Sequence, residues 1–234
     1  MRPTYTIFKR EFLSFVVSPI AYIVISVFLV VVGWFFFSTF FIYNQASLRN
    51  FFSLLPITFS LMVPAITMRL FAEEMNTGSY ETLMTLPITL SDAIVGKFLA
   101  ALALVAVMLS PTLFYPITVA LIGSLDWGPV IGGYLGALLL AAAYSAIGIF
   151  ASSLTRNQIV AFIVGVAICF TLTLIDKMLF FMPAVLLQVF QMLGADAHFQ
   201  NIAKGVIDTR DVIYFLSVGF IGLSATRLVL ENRA

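Results

Sequence analysis

Long apolar runs alternate with short polar blocks along this chain, and the runs have the length of membrane crossings. A helix needs about 20 predominantly apolar residues to cross hydrocarbon. Six runs approach or exceed that length: Pro19–Phe41, Phe51–Thr67, Ala93–Leu121, Val130–Leu154, Ile159–Ile175 and Val212–Leu230, the last interrupted near its end by Arg227. Each is expected to be a transmembrane helix. A further uncharged run, Met178–Ala195, is broken by Pro183, diluted by Gln188 and Gln191, and ended by Gly194. Proline costs about 3 kcal/mol inside a helix, so this run is read as two short helices that enter the outer leaflet and return. The whole segment 176–211 is assigned to that side. Before the first run, Tyr5, Phe8, Phe12, Phe15 and Val16 recur at helical spacing, with Thr6, Arg10 and Ser14 expected to face away. That pattern predicts an amphipathic helix over residues 1–18, lying on the membrane surface and bending at Ser18-Pro19.

The fold class expected is therefore an all-α polytopic membrane protein forming one domain over residues 1–234. Composition agrees: 62% of the residues are hydrophobic and 10% are charged, against about 25% charged in soluble domains. The formal net charge is +1, and no basic patch suggests nucleic acid. Six spans place both termini on one side. That side carries Arg2, Lys9, Arg10, Arg69, Lys97, Arg156, Arg227 and Arg233. The other carries Arg49, Lys177, Lys204 and Arg210, completing the 12 basic residues. The positive-inside rule makes the terminal side cytoplasmic, the inner membrane of a bacterium being the expected location. A seventh span would erase this bias.

The fourth run carries small residues at four-residue spacing: Gly133, Ala137, Ala141 and Ser145, followed by Gly148 and Ser152, while Gly132 and Gly136 add a Gly-x-x-x-Gly. Small residues let helix backbones approach closely in lipid. This is a packing face, and the sequence leaves open whether it packs within the chain or against a second copy.

The densest polar block lies between the second and third runs: Glu73, Glu74, Asn76, Thr77, Gly78, Ser79, Glu81 and Thr82. Acids at a helix C-terminus oppose the macrodipole. Arg69 is placed to compensate Glu73 at four-residue spacing, whereas Glu74 has no local partner, which favours a cation on another protein or another segment. Thr77-Gly78-Ser79 reads as a turn, with Ser79 as an N-cap and Glu81 in the first turn of a short helix. Leu86-Pro87 ends that helix, and Ser91-Asp92 is expected to cap the third span. Thr85 joins the expected exposed groups, and Leu83, Met84 and Leu86 are expected either to anchor the helix to the bundle or to fill a partner's cleft. The compact block is expected to be a docking handle for a soluble partner rather than an ordinary loop.

Other chemistries find little support. No Gly-rich nucleotide-binding loop is present, and no charge sits at the centre of a span, where proton relays place theirs. The single cysteine, Cys169, and the single histidine, His198, lie in different segments, so no metal site is expected. His198 reads as a polar residue on an outer loop. Ser79 and His198 fall on opposite sides and cannot form a hydrolytic pair. The chain is not expected to be an enzyme by itself.

The block Pro64-Ala65-Ile66-Thr67-Met68-Arg69, Phe71-Ala72-Glu73-Glu74, Thr77-Gly78-Ser79, Glu81-Thr82-Leu83, Leu86-Pro87 and Gly96-Lys97 resembles the ABC-2 family of ABC-transporter permeases. Order and spacing look most like gliding-motility-associated permeases, related to those of copper-site maturation for nitrous-oxide reductase. The resemblance implies two permease chains, as homodimer or heterodimer, driven by two cytoplasmic ATPase subunits that hold ATP and Mg. This chain itself would hold no cofactor. It implies that residues 1–18 form a connecting helix and that Ser79–Thr85, within the segment 73–92, forms a coupling helix seated in an ATPase cleft. It implies that the outer re-entrant helices precede span six. A separate auxiliary membrane protein with a large extracytoplasmic domain is a further implied partner, beside membrane lipid. Arg69, Glu73, Glu74, Gly78, Ser79, Glu81 and Thr82 are the candidate coupling residues. The alternative is a non-transporting scaffold that anchors an assembly at the membrane.

Overall fold

The computed structural model describes residues 3–43, 47–84, 88–178, 192–206 and 208–233. Among them the chain is all helix and turn, without strands. Helix α1 spans Pro3–Val17 and α2 Pro19–Tyr43. Helix α3 spans Arg49–Thr67, α4 Arg69–Thr77, α5 Ser79–Met84, α6 Leu90–Leu109 and α7 Phe114–Ile122. Helix α8 spans Trp127–Leu154, α9 Gln158–Met178, α10 Ala195–Ala203 and α11 Thr209–Glu231. Six helical segments are long and apolar enough to cross a membrane: α2, α3 continued by α4, α6 continued by α7, α8, α9 and α11. The chain is a multi-pass membrane protein. The re-entrant pair expected over Met178–Ala195 falls largely on residues 179–191, outside the described residues; α10 follows it.

Two expected spans differ in detail. The third, expected to run unbroken over Ala93–Leu121, tightens into a 3-10 turn at Ser110–Leu113. Pro111 has no N–H to continue the α-helical ladder. The second begins at Arg49 and continues past Thr67 into α4 after a break at Met68, which carries its helical axis beyond the expected end.

Helix α8 is the centre of the bundle, packed by α3, α6, α9, α10 and α11, with α4 against its end. Its small residues are why so many helices fit around it. Gly132, Gly133, Gly136, Ala137, Ala141, Ser145, Gly148 and Ser152 are all buried. A Cβ on Gly132 would stand 2.3 Å from the Ile202 backbone oxygen of α10, and one on Gly133 2.3 Å from the Phe52 ring of α3. At Gly148 it would stand 1.9 Å from Thr67 Oγ1. Gly136 faces Phe199 and Ile202, and Gly222 of α11 lies against Ala146. The close approaches from this face are thus made inside one chain. Tyr144, buried, adds a 2.6 Å hydrogen bond to Thr173 of α9.

Helix α1 meets the bundle through part of the expected stripe. Phe15 and the unexpected Ile7 are buried, and Phe8 and Phe12 are half-buried against the core, while Tyr5 and Val16 are exposed. Polar contacts add to this face: Thr4, Glu11 and Ser14 all have partners on neighbouring helices.

At the far end His198 is not a loop residue. It lies on α10, stacked on Tyr214 of α11 at 4.2 Å, with Nδ1 2.5 Å from Asp211 Oδ1. Lys177 pairs with Asp196 at 2.9 Å, and Asp176 accepts the Ala197 N–H.

Gly132→Ala is expected to destabilise the purified protein by about 1–3 kcal/mol, the usual cost of overpacking, seen as a lower thermal unfolding temperature. Gly219→Ala, whose added methyl meets no described atom within 4 Å, is expected to be neutral or slightly stabilising.

Candidate functional site

The polar block maps to α4, α5 and the turn between them, at the end of the bundle that carries the termini. Gly78 at φ 75° ends α4. This left-handed conformation is open to glycine without strain, and it turns the chain directly into α5. Thr77 Oγ1 and Ser79 Oγ lie 2.8 Å apart across the turn, and Ser79 Oγ donates to the Glu74 carbonyl at 3.4 Å. Ser79 is therefore the first helical residue tied back to α4, rather than the cap expected of it. Buried Tyr80 packs edge-on against Phe71 and anchors α5 from beneath.

What holds this hairpin is a buried ion network absent from the expected site. Lys97, in the second turn of α6, has 0% exposure. Its ammonium donates to Glu11 Oε1 at 3.1 Å, to the Leu70 carbonyl at 2.8 Å and to Glu74 Oε1 at 2.8 Å. An ammonium has three donors, and here each has an acceptor. Arg10 bridges the same two carboxylates, 2.6 Å from Glu11 and 3.0 Å from Glu74. The network joins α1, α4 and α6 at one point. Gly96 makes the geometry possible. A Cβ there would meet Ile7 Cβ at 2.9 Å and the Thr4 carbonyl at 3.0 Å, so the glycine admits α1 and the next residue locks it.

Glu74 Oε1 is thus paired within the chain, while its Oε2 is buried without a hydrogen-bond partner among the described residues. The missing cation of Glu74 lies on another segment of the same chain. Arg69 likewise does not serve Glu73. It donates to Ser18 at 2.8 Å and Ser14 at 2.9 Å, and sits 4.8 Å over the Phe15 ring. Arg10 and Ser14, expected opposite the aromatic stripe, are exposed and reach Glu74 and Arg69 of α4.

Two more contacts fix α4. Ser152 of α8 donates to the Met68 carbonyl at 2.7 Å and accepts the N–H groups of Phe71 and Ala72 at 3.0 Å each. One hydroxyl thereby satisfies three backbone groups freed by the α3–α4 break. Arg233, after α11, reaches Met75 Sδ at 3.3 Å and the Leu154 carbonyl at 2.6 Å. The start of α6 is held by a capping box between Thr89 and Asp92, not by Ser91, and Asp92 also accepts from Thr4. The Thr89-x-x-Asp92 spacing is a readable signal for that cap.

The face left open consists of Glu73, Asn76, Thr77, Gly78, Ser79 and Glu81, all exposed. Among the described residues neither Glu73 nor Glu81 has an ion-pair partner. Thr82 lies on α5, and its side chain is outside the description, as are residues 85–87. Lys97, Glu11, Ser152 and Arg233 were not singled out by sequence reasoning as members of the site. A lysine two turns inside an apolar run was the available signal for the first. No metal-ligating cluster occurs among the described residues.

Burial alone would raise the Glu11 carboxyl, but the Lys97 charge, the hydrogen bonds from Arg10 and Lys97, and the Arg10 charge together hold it below its usual range. A carboxyl lowered by folding stabilises the folded state above its unfolded value, and that contribution fades as pH falls through the lowered value. Docking of α1 is expected to persist at neutral pH and to loosen below about pH 4.5, read by protease access to α1. Glu11→Gln should flatten that pH dependence. Lys97→Ala leaves two half-buried carboxylates paired with Arg10 alone and is expected to cost about 1–3 kcal/mol in thermal unfolding, with easier release of α1.

Residues 5–217 match the family model described as ABC-2 family transporter protein. Comparison with curated proteins gives no match.

Proposed function

The chain belongs to the ABC-2 transporter family, which makes it the membrane-spanning component of an ABC transporter, and from that premise we propose that α4 and α5 are the handle by which a separate ATPase drives it. The observation that carries this reading is the contrast between the two sides of one hairpin. Its inner side is locked to α1, α6 and α8 by Lys97 and Ser152. Its outer side presents Glu73 and Glu81 without partners. A contact that transmits force needs both properties. A flexible loop would absorb the motion, and a fully paired surface would offer a partner nothing.

On this reading two ATPase subunits, carrying ATP and Mg, meet two permease chains at the cytoplasmic face, where the excess of basic residues places both termini. ATP closes the ATPase pair. The α4–α5 hairpin is displaced, and α1, α3 and α6 follow because the ion network and the Ser152 bonds across the Met68 break tie them to it. Nucleotide shifts the transporter between states only through contacts that differ between those states. Glu73 and Glu81, with the hydroxyls of Thr77 and Ser79, supply such contacts, whereas Glu74 and Arg69 keep the handle rigid. The Ser79–Thr85 segment then acts as the coupling helix and α1 as the connecting helix. Substrate export and force transmission to an extracytoplasmic partner would use the same stroke.

Co-purification from native membranes tests this. Glu73→Arg with Glu81→Arg is expected to reduce the co-purified ATPase at least tenfold while leaving membrane insertion and thermal stability unchanged. Undiminished recovery of the ATPase with the double variant would contradict the proposal.

A further inference from the structure

The end of the bundle opposite the handle holds a cavity that neither transport coupling nor the packing of α8 requires. It measures about 350 Å³ and is lined by Ser47 and Arg49 at the start of α3, by Ser124 and Asp126 before α8, and by Lys204 after α10. Its floor is apolar: Leu48, Phe52 and Val130 are buried and line it. A volume of this order suits a small ligand or a headgroup.

Its charge is what calls for an explanation. Four cations lie on this side, and Lys177 is already paired with Asp196. Arg49 and Lys204 share the cavity wall, and among the described residues neither side chain has a hydrogen-bond or ion-pair partner. Asp126, the one carboxylate in the wall, uses Oδ1 to accept the Gly128 N–H as the cap of α8. Against the single carboxylate of Asp126, the exposed Arg49 and Lys204 give the wall a net positive charge, which favours an anion.

The wall is also built rather than casual. Lys204 is followed by Gly205 at φ 87°, whose absent Cβ would lie 3.1 Å from the Gly128 carbonyl carbon and the Pro129 nitrogen. Gly132 receives the Ile202 carbonyl at the same contact. These two glycines press the end of α10 onto the start of α8 and so fix Lys204 at the rim. The exposed Trp127 beside it is the type of residue that marks headgroup depth.

We propose that this cavity binds a phosphate-type anion at the membrane–water boundary, with Arg49 and Lys204 as the paired cations, Ser47 and Ser124 as hydroxyl donors, and the apolar floor receiving the first carbons of an attached chain. Guanidinium and ammonium are the side chains suited to phosphate oxygens. The anion is either the headgroup of an anionic phospholipid or free phosphate.

The full chain is purified into phosphatidylcholine nanodiscs, and either phosphatidylglycerol or inorganic phosphate is added. Binding is read by native mass spectrometry and by the rise in unfolding temperature. Wild type is expected to retain phosphatidylglycerol or phosphate, and Arg49→Gln with Lys204→Gln to lower the apparent affinity about tenfold or more. Arg49→Lys should restore part of the binding. Arg210→Gln, which removes a cation of the same side outside the cavity, should leave it unchanged. Retention of phosphatidylglycerol alone identifies a lipid headgroup site, and retention of inorganic phosphate identifies a free-anion site. Binding of neither, or binding lost equally with Arg210→Gln, overturns the proposal. The exposed positions of Arg49 and Lys204 leave folding of the variants intact, which the unfolding temperature without added anion verifies.

Discussion

A fully buried ammonium must find acceptors within the protein, and Lys97 finds three of them on two different helices. That single requirement organises the end of the bundle where the termini lie. It brings Glu11 of α1 and Glu74 of α4 to the same nitrogen, and it draws Arg10 in to balance the second carboxylate. Burying such a set is not a net source of stability by itself, because the desolvation of each charge opposes the attraction. Its effect is specificity: once the group is inside the bundle, only one arrangement of α1, α4 and α6 satisfies it. Gly96, one residue earlier, supplies the space without which α1 would stand too far off.

The remaining contacts extend that lock towards the membrane. Without a hydrophobic force between helices in lipid, association depends on close packing and hydrogen bonds. Helix α8 uses both. Its glycines and alanines let Phe52, Thr67, Phe199 and Ile202 approach the backbone, and Ser152 holds the broken joint between α3 and α4. The hairpin that leaves the bundle is thus continuous with the central helix. Arg233 adds a connection from the last helix to Met75 and to the end of α8, so a displacement of α4 reaches both the second crossing and the sixth.

Much of this was legible in the sequence because membrane helices announce themselves by length. The six crossings, the turn at Gly78 and the small-residue face of α8 follow from apolar runs, one glycine and a four-residue period. The pairing of charges was not legible. Glu74 lacks a cation within helical reach, and the sequence could say only that the partner was elsewhere; Lys97 and Arg10 are distant in the chain and become neighbours through tertiary packing. The contacts of α1 were only partly legible for a related reason. Its aromatic stripe dominates the pattern, and Phe8, Phe12 and Phe15 do meet the bundle, but the partners of Thr4, Glu11 and Ser14 come from distant segments. The break at Pro111 was readable in principle, since the proline lies within the third apolar run, but its consequence for the helix depends on the packing around Thr112 and Tyr134.

The two ends of the protein then have different characters. One is an acidic hairpin with an open outer face; the other is a basic cavity over an apolar floor at the end of α10, a helix whose start is fastened by the His198–Asp211 and Lys177–Asp196 pairs. The central claim concerns the first. A photo-crosslinking residue placed at Glu81 in the native membrane tests it most directly. The account predicts an adduct to a nucleotide-hydrolysing subunit on the cytoplasmic side, with a yield that changes when ATP is added. Adducts to lipid alone, or to a protein on the opposite side of the membrane, would contradict it.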